Sequence, residues 1–305
     1  MTYKLEQIND QAARDPKGFI EGSERRYHTQ VEQTAASIVA CMKQRPIVLL
    51  NGPSSSGKTT TARLLGEALM GHGVHAEVIS MDDYYRTRSE YQIPKDEEGV
   101  DDFESPLCMD LPLLNDHLQR LAAGEEICVP HFDFEKQSRT DEVECLSLDP
   151  DEVAVIEGIH SFSDTITGGL EDKATCLYLS VASSVSLSDG TVLAPEMLRF
   201  MRRAIRDRNF RGAPVEATLR QWRSVRRGER LYIAPYRHHA TQYIDSYLPY
   251  ESCILMQMLQ AEIAGREEEM RAVGLHEVFR AIGCFAEIDY QPYLPENSVL
   301  HEFIG

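Results

Sequence analysis

The run Gly52-Pro53-Ser54-Ser55-Ser56-Gly57-Lys58-Thr59 fits the pattern GxxxxGK[ST], and each residue type in it has a mechanical use. Gly52 and Gly57 let the backbone turn its N–H groups, with those of Ser54, Ser55 and Ser56, toward a phosphate. A helix opening through Thr60 adds positive potential, Lys58 reaches the β and γ oxygens, and Thr59 offers a hydroxyl to Mg²⁺. The pattern also arises by chance in a Gly/Ser turn. Its context argues against chance, because the apolar run IVLL precedes it and a helical pattern from Thr60 to Met70 follows.

A phosphate loop serves switches, motors and kinases alike, so the carboxylates decide. No NKxD guanine-reading motif occurs. Asp82 and Asp83 follow the apolar segment AEVIS directly, at the sheet edge where open α/β folds bind ligands. An Asp there can take the proton of an attacking hydroxyl, or it can simply cap a helix; the pattern leaves both open. Glu157 closes a second apolar segment, VAVI, where a carboxylate can hold a Mg²⁺-bound water or merely face solvent.

Arginines 199, 202, 203, 206, 208 and 211 form a local cationic excess, and 199, 203 and 206 share one helical face. Such a face clamps a phosphoryl group or is only solvated.

These groups need elements to carry them. Asp15-Pro16 predicts a helix start, and apolar Phe19, Ile20, Tyr27, Val31, Ile38 and Met42 extend that helix to about Gln44. IVLL, AEVIS, VAVI and TCLYLSV predict strands of a parallel sheet, with a helix over Leu111 to Ala123 and an extended excursion at ICVPHFDF. One long helical stretch is expected from Pro195 to Arg226, then a loop around Pro235 and His239. Closing helices are expected over Tyr250 to Ala264 and Glu268 to Ile282, with an irregular tail from Gln291. His238 and His239 receive no role.

The 305 residues allow a full α/β core with extra terminal segments. A formal charge of −18 argues against a nucleic-acid partner, while leaving room for a small Mg-paired anion. Seven cysteines without a CxxC pair suggest neither a disulfide framework nor a zinc site, and they fit a cytoplasmic setting. No apolar stretch approaches the roughly 20 residues that span a bilayer, so no membrane partner is expected. Homo-oligomer formation is left open.

Taken together, GPSSSGKTT, MDDYY, DFESP, PHFDFEKQSR, VIEGIH and RFMRRAIRDRNFRG resemble the uridine kinase and phosphoribulokinase superfamily in order and spacing over about residues 46 to 245. The resemblance is greatest to bacterial uridine kinase-like nucleoside kinases. It implies a P-loop NTPase fold of the α/β class: a parallel sheet covered by helices on both faces, with a lid and helical N- and C-terminal extensions. The expected division is an extension over 1–45, a kinase core with substrate hairpin and Arg-rich lid over 46–250, and a helical segment and tail over 251–305.

The resemblance further implies ATP and Mg²⁺, a nucleoside acceptor phosphorylated on its 5′-hydroxyl, Asp82 as base, and the metal near Thr59 and Glu157. It places Lys58, Arg206 and Arg211 on the phosphates, and Tyr85, Phe103, Glu104, Arg203 and Gln221 on the acceptor, the last three at the ribose hydroxyls. Where the family reads the base with Tyr and His, this chain has Phe132 and Gln137. Phe210 and Ala213 replace the family's Glu and Arg in the lid. Phe103, Phe132 and Phe134 either sandwich a ring or pack in the core. Two alternatives stand beside this reading: a superfamily kinase for another nucleoside, a sugar phosphate or pantothenate, and an ATP sensor that transfers nothing.

Overall fold

The computed structural model describes residues 1–134, 136–164, 168–170 and 172–305; Glu135, inside PHFDFEKQSR, lies outside them. Its strands are β1 (Thr2–Lys4), β2 (Ile47–Asn51), β3 (His75–Ser80), β4 (Ile127–Asp133), β5 (Ser138–Leu146), β6 (Glu152–Glu157), β7 (Ala174–Ser180), β8 (Ser184–Ser186), β9 (Val192–Leu193) and β10 (Gln242–Asp245). The helices here called α1 to α4 are Leu5–Arg14, Pro16–Cys41, Lys58–Gly71 and Leu111–Ala122. Then come α5 (Pro195–Arg211), α6 (Val215–Gly228), α7 (Glu251–Ile263), α8 (Glu267–Ala272), α9 (His276–Arg280) and α10 (His301–Ile304).

Among the described residues the main sheet has five strands in the order β10-β7-β2-β6-β3, all parallel. Alternation along its strands builds two cores. Val48, Leu50, Val153, Val155, Leu177 and Leu179 face one cluster, which also takes Ile20 and Tyr27 of α2, Leu65 of α3 and Ile254 of α7. Ile47, Leu49, Ala154, Ile156 and Tyr178 face the other, with Leu114 and Leu118 of α4. The sheet is therefore covered on both faces, as expected of an α/β chain. The first cluster draws on Leu5 and Ile8 at one end of the chain and on Leu300 and Phe303 at the other, so both extensions pack into the body.

Local chemistry explains most boundaries. The Asp15 carboxylate accepts from Gly18 N at 2.9 Å with Pro16 in the first turn, which starts α2 where the sequence indicates. Ahead of it, β1 and α1 form on residues to which no element was assigned. β1 pairs in parallel with β8.

Several expectations are corrected. The stretch from Pro195 to Arg226 is two helices: Gly212 at φ 60° ends α5 and Pro214 caps α6. Gly274 at φ 74° likewise separates α8 from α9 in place of one helix. The region around Pro235 and His239 is not a loop but a run of helical turns over Glu229–Ile233 and Ala234–His239. The tail is not irregular to its end: it closes on α10, with Val299, Leu300 and Phe303 fully buried. Cys128 and Cys145 sit opposite one another in the β4–β5 ladder and form a disulfide, contrary to the expectation of none; the hairpin register brings together residues 17 apart.

One interior pair ties the last third of the chain to the phosphate loop. Arg202 and Glu251 are both fully buried; Nε and Nη2 of Arg202 meet the two carboxylate oxygens at 3.1 and 2.7 Å. Glu251→Ala strands that guanidinium in the core, and urea unfolding should register a loss of about 3–5 kcal/mol, as for other buried pairs broken on one side. A loss under about 1 kcal/mol would show that water or Ser246 replaces the carboxylate.

Candidate active site

The C-terminal ends of β2, β6 and β3 converge. Register sets Leu50 beside Glu157 and Glu157 beside Ser80, so the phosphate loop, Glu157 and the Asp82 turn lie in one row across the sheet edge. Ser55 at φ 60° and Gly57 at φ 92° give the loop its curl. A Cβ on Gly52 would stand 2.1 Å from the Leu179 carbonyl, so only glycine fits where the loop leaves the sheet. The hydroxyls of Ser55 and Ser56 are buried and have no partner among the described residues. Curled N–H groups and unsatisfied hydroxyls at a helix start suit a polyphosphate.

Ser54, Ser55, Lys58, Thr59, Asp82, Tyr85, Phe103, Glu104, Phe132, Gln137, Glu157, Arg203, Arg206 and Arg211 all line one cavity of about 370 Å³. Gly52, Ser56, Gly57 and Thr60 belong to the loop behind that wall, and Gln221 touches it only through Arg203 Nη2, 3.4 Å from its Oε1. Phe134 also lines the cavity; it is 59 % exposed, which removes the core-packing alternative for it. Phe132 and Phe134 meet edge to face at 5.0 Å, with Tyr85 5.7 and 5.9 Å from them. Gln137 takes a left-handed backbone, φ 53°, at the hairpin tip.

The structure separates the two aspartates. Ser80 Oγ, not Asp82, caps the turn, accepting from Asp82 N at 3.3 Å. Asp83 faces the β4 hairpin, where its Oδ1 accepts from Phe132 N and pairs with His131, both at 3.1 Å. Asp82 alone opens into the cavity. The protein mass around it raises its pKa, and Lys58, then Asp83, perturb it next.

Glu157 Oε1 accepts from Ser80 Oγ at 3.1 Å and Thr59 Oγ1 at 3.3 Å. Burial pushes its pKa up to about 7, against the pull of Lys58. A hydroxyl beside a carboxylate, both oxygen donors, fits the hard Mg²⁺ ion, which keeps several waters and takes phosphate oxygens for the rest. Burial lowers the pKa of Lys58, and Glu157 and Asp82 oppose that shift. Glu104 packs on Gly228, where a Cβ would come within 2.4 Å of its own, and burial lifts its pKa to about 6.

The arginine helix is neither a solvated face nor a single clamp. Arg199, read with the phosphate group, is 2 % exposed and ion-paired to Glu229 at 2.7 Å; Arg208 turns to Glu262. Arg203, Arg206 and Arg211 reach the cavity because buried Asp207 gathers them, at 3.3, 3.5 and 3.4 Å, with Thr218 Oγ1 donating to it at 3.2 Å. Burial, then Arg211, lowers Arg206 to about 10. Asp207, Ser80, Arg86, Arg88, Tyr91, Ile159 and Glu302 went unread in the sequence. Of these, the i, i+4 spacing of Asp207 to Arg203 and Arg211 was a legible signal.

The model of the Phosphoribulokinase / Uridine kinase family matches residues 47–249. A protein named uridine kinase from Deinococcus deserti is 31% identical over 198 residues, 64% of this chain and 86% of its own length. One of the same name from Bacillus pumilus is 28% identical over 201 residues, 65% of this chain and 86% of its own. The structure described as a “Possible Uridine Kinase” from Bacillus stearothermophilus aligns with TM-score 0.48 and 18% identity, covering 71% of this chain and 98% of that one. Among the described residues no helix is long and apolar enough to cross a membrane.

Behind the cavity, His160 is 1 % exposed, 6.0 Å ring to ring from Tyr232. Its nitrogens face the Glu104 and Tyr232 backbone without reaching hydrogen-bond geometry, and burial pushes its pKa down to about 4. An unfolded chain, with histidine near pKa 6.5, takes up that proton first as pH falls. The His160 contribution is therefore nil above about pH 6.5 and destabilises progressively down to about pH 4. Urea midpoints across that window should fall less steeply for His160→Asn than for the wild type; parallel slopes would exclude His160 as their source.

Proposed function

We propose that this chain, which belongs to the Phosphoribulokinase / Uridine kinase family, transfers the γ-phosphoryl group of ATP to the 5′-hydroxyl of uridine or cytidine. The observation that carries this is Asp82: a carboxylate in the same cavity wall as Lys58 that caps no turn and makes no side-chain ion pair or hydrogen bond among the described residues. In the proposed reaction Asp82 takes the proton of the acceptor hydroxyl as its oxygen bonds to the γ-phosphorus. The bond from phosphorus to the bridging oxygen breaks, and ADP carries the electron pair away. Lys58, Arg206 and Arg211 offset the charge on the moving phosphoryl oxygens, so positioning and electrostatics supply most of the rate. A raised pKa makes Asp82 a better proton acceptor near neutrality. Thr59 and Glu157 would hold Mg²⁺, which supplies further neutralisation of the phosphates.

On the acceptor side, Glu104, Arg203 and Gln221 are assigned to the ribose and the Phe132 and Phe134 rings to the base, with Tyr85 and Phe103 beside them. The Gln137 amide both donates and accepts, which suits uracil and cytosine equally.

One observation favours a second reading within the same family. Arg86 and Arg88 also line the cavity; Arg88 lies 4.6 Å over Phe103 and 3.5 Å from Asp101, while the Arg86 side chain makes no ion pair or hydrogen bond among the described residues. A half-buried guanidinium without a carboxylate suits an acceptor that carries its own phosphate or carboxylate.

Asp82→Asn should bind ATP as the wild type does while turnover drops about 10²- to 10⁴-fold, the usual worth of a general base. Near-normal turnover removes Asp82 from the mechanism. An ATP-consumption screen over nucleosides, sugar phosphates and pantothenate separates the acceptors. Silence with uridine and cytidine defeats the first reading; Arg86→Gln raising KM about tenfold or more for an anionic acceptor establishes the second.

A further inference from the structure

The last turn of the chain is built into the phosphate-binding loop rather than laid on the surface. Val299, Leu300 and Phe303 are fully buried, and Val299 presses on the loop so closely that a Cβ on Gly57 would come within 2.5 Å of its Cγ2. Phe303 sits under the Arg202 guanidinium, 4.9 Å from ring centroid to Cζ. Asn209 Nδ2 donates to the Ile304 and Phe303 carbonyls at 3.0 and 3.4 Å, and Ser298 is hydrogen-bonded to Glu24.

This anchoring delivers one side chain to the site. Glu302 Oε2 accepts from Thr60 N at 3.2 Å and from Thr60 Oγ1 at 2.9 Å, and Glu302 lines the same cavity as Lys58, Thr59 and Asp82. In a loop of this pattern the lysine serves the β and γ phosphates and the next hydroxyl serves the metal. The backbone donors of such a loop cradle the α and β phosphates, so with the lysine on β and γ the donors one residue further into the first turn of α3 are left for the α-phosphate. In this chain those donors already hold a carboxylate.

We propose that Glu302 is a donor-selecting residue: its carboxylate stands where an α-phosphate would bind, so a nucleoside triphosphate must displace it while a two-phosphate anion need not. The proposal rests on the phosphate-donor assignment above and adds to it which part of the donor is contested. Two anions cannot share the Thr60 N–H and hydroxyl, and their charges repel at contact distance in a site partly closed to water. The tail thus weakens nucleotide binding selectively, leaving the β and γ positions at Lys58 open.

The test is isothermal titration of Mg-ATP and of Mg-pyrophosphate into the full chain, its Glu302→Gln variant and its Glu302→Ala variant. Glu302→Gln keeps the size and an acceptor oxygen but loses the charge; Glu302→Ala loses both. Expected is a tightening of ATP by about tenfold or more in both variants, with pyrophosphate within about twofold of wild type. ATP binding that is unchanged or weaker in both variants, with pyrophosphate still bound, overturns the proposal and leaves the kinase reading intact. Wild-type protein that binds neither anion defeats the kinase reading and the proposal together. If Glu302→Ala unsettles the fold, seen as a lowered thermal midpoint, the near-isosteric Glu302→Gln variant decides.

Discussion

A loop that turns its N–H groups toward a ligand must turn carbonyls the other way, and in a folded interior those carbonyls need donors. This constraint organises the molecule. Arg199 Nη1 donates to the Ser54 carbonyl at 3.1 Å, and Arg202 Nη1 lies 3.4 and 3.3 Å from those of Ser55 and Ser56. Buried guanidinium groups then need carboxylates of their own, which Glu229 and Glu251 provide. The loop, α5, the turn after α6 and the start of α7 are thereby locked into one polar unit beneath the phosphate site. Two of the arginines that look available for phosphate are consumed in holding the loop itself.

The front of the site shows the opposite imbalance. Lys58 is surrounded by Asp82, Glu157 and Glu302, with Glu104 further along the cavity. The protein mass around Asp82, Glu157 and Glu104 raises their pKa values and lowers that of Lys58, and the Lys58 charge opposes the shift of each carboxylate. Such a cluster is poised for added cations. The arginines that Asp207 gathers supply them from the protein, and a divalent ion, held as proposed by Thr59 and Glu157, would supply them from solution.

The β4–β5 hairpin, which carries the residues proposed to meet the acceptor, joins the second core cluster through Ile127 and Val129 and is fixed at three further points. Asp83 secures the backbone of Phe132, Arg139 is bound to Asp110 and to the Tyr84 and Tyr85 carbonyls, and Cys128 is bonded to Cys145 at the far end. Side chains at the tip can vary without disturbing the sheet, since the fixings lie in backbone and in residues outside the ring cluster. Gln137 lies in that tip, whereas Phe132 is paired with Arg139 in the ladder and is 7 % exposed.

The sequence by itself determined what depends on near neighbours. The phosphate loop, the strands that precede Asp82 and Glu157, and the Asp15-Pro16 start of α2 are all written in contiguous residues, whose periodicity and capping act locally. What depends on distant chain segments meeting was not legible. Nothing local tells Arg199 from Arg203; only the approach of Glu229 takes one for the scaffold and leaves the other to the cavity. Asp82 and Asp83 read alike until β4 claims the second. The pairing of Cys128 with Cys145 and the seating of Glu302 on Thr60 span separations of 17 and 242 residues, set by hairpin register and by the packing of a C-terminal turn. Side-chain roles in this site follow from which distant partner the fold brings within reach, and that is a property of the tertiary structure.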